Sequence, residues 1–158
     1  MKRTVNKGIG FGITSGIITT LGLMIGLFEA TNSKLAVLGG ILTIAIADAL
    51  SDSFGIHISE EAAGKSKKNI WQSTFSTFKA KFLTAIIFVI PVIFLTLKTA
   101  IITNILMGLI ILSTFTYFIT KRNKQKPFNA ILEHLGIALI VILITYFVGK
   151  GISTIGLI

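Results

Sequence analysis

The chain has 158 residues, a formal net charge of +9 and a mean hydropathy of +0.87, with 53% hydrophobic and only 13% charged residues. Soluble domains carry roughly 25% charged residues, so this composition argues against one, and the length leaves room for about five spans of 20 residues and no separate soluble domain. The absence of cysteine excludes disulfides and thiolate metal sites, and the confinement of basic residues to short loops between apolar runs marks the charge as membrane topology rather than a nucleic-acid surface.

In chain order, the first apolar run covers residues 8–28, GIGFGITSGIITTLGLMIGLF. Met1 to Lys7 is basic like the n-region of a signal peptide, but the run that follows is about 21 residues long and ends in no small-residue cleavage site, so a membrane span is expected. Gly12 and Gly16, and again Gly22 and Gly26, are four apart and make two notches where helix backbones can approach closely. A polar turn, residues 29–34, leads to a second span at residues 35–57. Lys65 to Lys68 form a basic loop, and residues 69–77 around Trp71 read as an interfacial piece. The third span is expected at 78–97, with Lys79 and Lys81 near its start snorkelling to the surface and Pro91 kinking it. The fourth is expected at 100–119, ending at the basic loop TKRNKQKP, and the fifth at 128–148, opened by Pro127. The apolar tail 149–158 is too short to cross again.

The fold class expected is all-α: a polytopic membrane protein with five transmembrane helices forming a single transmembrane domain. Twelve of the fifteen Lys and Arg residues fall on the side of the N-terminus and three on the other, which places the N-terminus in the cytoplasm and the C-terminus outside. The expected localisation is the cell membrane, as a multi-pass protein in contact with the lipid bilayer.

The ionisable residues concentrate in one stretch. Leu35 to Ala47 carries none, and then Asp48, Asp52, His57, Glu60 and Glu61 follow, so that four of the six acidic residues of the chain lie between Leu35 and Gly64. At 1.5 Å per residue, Asp48 lies about 20 Å below the outer boundary of a ~30 Å hydrocarbon core. A carboxylate at that depth is costly and marks a functional site by default. At 100° per residue Asp48, Ser51, Asp52, Gly55 and Ser59, with Thr43 or Ile44, form one polar stripe. His57, Glu60 and Glu61 fall on the opposite side of an ideal helix at the inner boundary, where His57 and Glu61, four apart, could share a cation. Oxygen and imidazole donors without thiolates suit Mn(II), Fe(II) or Zn(II). Glu133 and His134, early in the fifth span, are accessory candidates that either reach the Asp52 region or lie at headgroup level.

GITSGIITTLGLMIGL in the first span and GILTIAIADALSDSFGIHISEEA in the second resemble the paired signature of the vacuolar iron transporter family, and FNAILEHLGIALIVILITYFVGKGI is similar to that family's fifth helix. The resemblance implies five helices, a homodimer with its pore between subunits, and proton-coupled export (antiport) of Fe2+ or Mn2+ from the cytosol. The first-helix aspartate of the family pattern falls here on Ser15, the second-helix methionine on Ile44, and the second-helix acidic position on Asp48. The family's glutamate-rich cytoplasmic insert is reduced to about residues 62–74, with Glu60 and Glu61 its acidic remnant.

The leading expectation is therefore a divalent-cation transporter rather than an enzyme. Asp48, Asp52, Ser15 and Ser51 would line its pathway, and Asp48, Asp52, His57, Glu60 and Glu61 would contact the metal. No cofactor is expected besides the transported ion. A non-transporting scaffold whose polar stripe binds a partner helix is the alternative. A Mg2+-dependent lipid-headgroup enzyme fits less well, because only Asp48 and Asp52 are present and no arginine lies near them.

Overall fold

The computed structural model describes residues 2–156, the side chains of residues 2–4 apart; Lys2 and Arg3, counted above for topology, and Leu157 and Ile158 of the tail thus have side chains outside the described residues. Among the described residues 90% are helical and no strand occurs. The helices are α1 (Lys2–Thr31), α2 (Lys34–Ala62), α3 (Lys67–Ile87), α4 (Val89–Phe94), α5 (Leu97–Arg122) and α6 (Pro127–Thr154). Five stretches are long and apolar enough to cross a membrane: Val5–Thr31, Lys34–Ala62, Lys67–Phe94, Leu97–Arg122 and Pro127–Thr154. The expectation of an all-α, multi-pass membrane protein is met.

The turns use the residues that tolerate them. Asn32, at φ 46, and Gly64, at φ 66, adopt the left-handed conformation that ends α1 and α2. Pro127 opens α6, where its missing N–H is no loss. The third span starts earlier than expected and is broken where Pro91 was expected to kink it. It begins at Lys67, so residues 69–77 are helix rather than a separate interfacial piece, and it breaks at Phe88 between α3 and α4. The break lies just before Pro91, whose ring displaces the carbonyl four residues earlier.

The chain forms two compact units. The first comprises the described residues through Thr20 together with Gly39–Ile90, and so contains the start of α1, most of α2 and all of α3. Its helices meet closely because Gly8, Gly12 and Gly16 present a bare strip of α1 to α3. A Cβ on Gly12 would stand 2.6 Å from the Thr77 carbonyl oxygen, and one on Gly16 would stand 3.2 Å from the Lys81 carbonyl oxygen. In lipid such close backbone approach is what holds helices together, since apolar surface alone gains little by leaving lipid tails. The inward face of α3 is mostly polar, with Ser73, Thr74, Thr77, Lys81 and Thr84 all buried. Trp71, Phe75, Leu83 and Ile87 of the same helix are exposed. That is the inverse of a soluble amphipathic helix, and it suits a span whose surroundings are hydrocarbon.

The second unit comprises Leu21–Leu38 and the described residues from Pro91 on. Here α5 packs against α6, and the second glycine notch of α1 receives α6: a Cβ on Gly22 would meet Val141 Cγ1 at 2.9 Å, and one on Gly149 would meet Glu29 Cβ at 2.8 Å. Asn104 of α5 is fully buried and donates to Met24 Sδ at 3.2 Å. The glycine strips yield a test. Gly12→Val should destabilise the chain by about 1–3 kcal/mol through overpacking. Gly136→Ala, where nothing lies within 4 Å, should be neutral or stabilising by about 0.5–1 kcal/mol. Thermal unfolding of the two variants in detergent micelles checks both.

Candidate functional site

The first unit brings three helices to one charged cluster. Asp48 lies halfway along α2 and Asp52 one turn further, on the same side. Both side chains are partly exposed, at 28% and 23%. Lys81 of α3 reaches them: its Nζ is 2.5 Å from Asp48 Oδ2 and makes a second ion pair with Asp52 Oδ2. Ser15 of α1 completes the group, accepting from Lys81 Nζ at 2.9 Å and donating to Asp52 Oδ2 at 2.7 Å. Lys81 itself is 1% exposed.

This corrects the expectation that Lys81 snorkels to the surface. That reading began the third span at residue 78, whereas the helix begins at Lys67, so Lys81 sits fourteen residues in, about 21 Å along the axis. From there its four-carbon stem does not reach water, and an unpaired ammonium in hydrocarbon is expensive. The bare strip on α1 brings α3 close enough for the ammonium to be met by Ser15 and the two carboxylates instead. Lys79, two residues earlier, stays exposed. Without Lys81 the basic residues still divide eleven to three, so the charge asymmetry survives the correction.

The rest of the predicted polar stripe separates from the aspartates. Ser51, Gly55 and Ser59 are exposed, in line with Gly39, Thr43 and Ala47, on a face of α2 adjoining Asp48 and Asp52. The inner-boundary cluster is also divided. Glu60 is 4% exposed and ion-paired with Lys7 of α1. His57 Nδ1 shares a hydrogen bond of 3.0 Å with Thr74 Oγ1 of α3, and its ring meets Trp71 edge-on at 4.8 Å. Glu61 is exposed. Among the described residues no three His, Asp or Glu side chains converge as a metal site, so the five suggested metal contacts are not gathered in one chain. In the second unit, His134 Nδ1 and Thr116 Oγ1 lie 2.8 Å apart, joining α6 to α5, while Glu133 is exposed.

A VIT family profile matches residues 52–150, well over half of the chain. The chain belongs to the VIT family. No curated protein is significantly similar to it. The matched segment contains Asp52, His57, Glu60 and Lys81 but begins after Ser15 and Asp48. VIT family members are transporters, and membership places this chain among membrane proteins that move metal ions. Oxygen donors converging halfway through a span are the chemistry such a function requires, since hard and borderline divalent cations are held by carboxylate and hydroxyl oxygens.

Lys81 was missed from the sequence although a signal was present. Ser73, Thr77, Lys81 and Thr84 recur at intervals of four, four and three, which is one face of a helix, and a polar face within an apolar segment implies an interior partner. Because breaking a buried ion pair leaves a charge uncompensated, the Asp48→Asn/Asp52→Asn double variant should lose about 3–5 kcal/mol. The loss should exceed the sum of the two single variants, since either carboxylate alone still pairs with Lys81. Denaturant unfolding of the purified protein gives all three values.

Proposed function

We propose that this VIT family protein exports a divalent transition-metal cation, Fe2+ or Mn2+, from the cytosol in exchange for protons, along a path between two copies of the chain lined by Asp48, Asp52 and Ser15. The observation that carries this reading is the half-open pair of carboxylates midway along α2, joined by the Ser15 hydroxyl from the neighbouring helix. Carboxylates at that depth can take either a proton or a cation, which is the exchange an antiporter needs. The eleven-to-three distribution of basic residues supports a cytoplasmic N-terminus in the cell membrane. Glu60 and His57 then stand toward the cytosolic end of α2, where arriving cations would first meet acidic and imidazole groups.

A dimer is supported by a strip of α2 that is left exposed among the described residues. Gly39, Thr43, Ala47, Ser51, Gly55 and Ser59 are all exposed at four-residue spacing, and open space surrounds Gly39 and Gly55. A strip of small and hydroxyl-bearing residues suits a second helix of the same kind better than lipid. It adjoins Asp48 and Asp52, so two copies meeting there would bring four carboxylates to one path.

One observation favours a second reading. Lys81 already offsets one of the two carboxylate charges without any bound cation, as in a scaffold that binds partner helices without transporting anything. Flux decides between the two. In proteoliposomes the native chain should transport Mn2+ or Fe2+, more rapidly with an opposing proton gradient, and Asp48→Ala should abolish that flux; equal flux in the variant would rule the pathway out. The dimer has its own test, made clean by the absence of native cysteine. Ser51→Cys should form cross-linked dimers under mild oxidation, whereas Leu143→Cys, exposed on α6, should not.

A further inference from the structure

The geometry points to Lys81 as a tethered cation that occupies the carboxylate site and yields it to the incoming metal ion, so that this lysine sets the affinity of the site for divalent cargo. This rests on the reading of Asp48 and Asp52 as the cargo pathway. The Lys81 ammonium touches Asp48 Oδ2, Asp52 Oδ2 and Ser15 Oγ, the same three oxygens a metal ion entering between α1 and α2 would use. Two cations cannot share them. A divalent ion there would face an ammonium a few ångströms away in a poorly screened interior, and their repulsion is twice that of two unit charges. Metal entry therefore requires the lysine to withdraw.

The side chain is suited to that movement, which also requires α1 and α3 to part slightly, since Gly8 and Gly12 press against Ser73 and Thr77 with no room for a methyl group. Lysine carries a compact charge on a flexible stem, unlike the rigid fork of arginine. Side chains on a helix lean toward its N-terminus, and in that direction along α3 the same buried face carries Thr77 and Ser73, four and eight residues from Lys81. Both residues are fully buried, and among the described residues neither Thr77 Oγ1 nor Ser73 Oγ has a hydrogen-bond partner. Buried hydroxyls without partners are uncommon and call for an explanation. Here they provide acceptors for an ammonium displaced by one turn. In this arrangement the lysine balances one of the two carboxylate charges while the site is free of cargo, and it weakens metal binding enough for the ion to leave again.

Mn2+ binding to the detergent-purified full chain, measured by isothermal titration calorimetry, tests this directly. Lys81→Gln should bind Mn2+ at least tenfold more tightly than the native chain. Lys81→Arg, which keeps the charge, should show no gain, and adding Asp48→Asn and Asp52→Asn to Lys81→Gln should remove it. A purely structural lysine would give equal or weaker binding in Lys81→Gln, which overturns the proposal. Should that variant fail to fold, the native chain still decides. Saturating Mn2+ should change the labelling of Lys81 by a membrane-permeant amine reagent at least threefold while leaving Lys79 unchanged, and unchanged labelling of Lys81 overturns the proposal. Native flux with no gain in Lys81→Gln overturns the tethered cation alone. A gain without native flux overturns the transport reading and leaves the competition at the site standing.

Discussion

One ammonium placed between two carboxylates inside a membrane-spanning unit organises much of this protein. Lys81 ties α3 to α2 through Asp48 and Asp52, and to α1 through Ser15. None of the three charges would be tolerable alone at that depth, because hydrocarbon offers no water to solvate them. The cluster depends in turn on the glycines of α1. A side chain at Gly12 would force α3 to shift, and one at Gly16 would crowd the Lys81 backbone itself. Glycine spacing, helix contact and charge compensation are thus a single constraint expressed at three levels.

On the proposed transport reading, the same cluster serves two demands that conflict. Folding favours permanent neutralisation of the aspartates, because an uncompensated buried charge is destabilising. Transport requires those carboxylates to be available to a passing ion. A flexible lysine meets both demands better than an arginine or an apolar residue in its place. The partial exposure of Asp48 and Asp52, against the near-complete burial of Lys81, fits a site that is closed from within the chain and open toward the uncovered face of α2.

Away from this centre the first unit follows the same logic in weaker form. Glu60 is buried and takes Lys7 as its partner, and His57 takes Thr74. Each of these contacts joins α2 to another helix near one end, whereas Asp48 and Asp52 do so near the middle. Two of the three residues read as a mouth for metal ions, Glu60 and His57, also join helices within the chain, while Glu61 is exposed. An ideal-helix projection places them opposite Asp48. Both α1 and α3 lean on α2, so that residues from well separated directions around its axis find partners within the unit.

Composition and periodicity alone determined the membrane class, the all-helical fold and the five spans to within a few residues at most ends. These follow from hydrocarbon thickness and from the cost of charge within it, both of which act on local sequence. The close fit of the glycine notches was legible for the same reason, because a missing side chain leaves space wherever its neighbour comes from. Which residues meet across helices was decided only by the tertiary structure. Lys81 lies 29 residues from Asp52 and 66 from Ser15, and nothing in its own neighbourhood distinguishes an ammonium drawn inward to carboxylates from one stretched outward to water. The two differ only in how near α1 and α2 stand to α3, a distance set by Gly8, Gly12 and Gly16 on another helix.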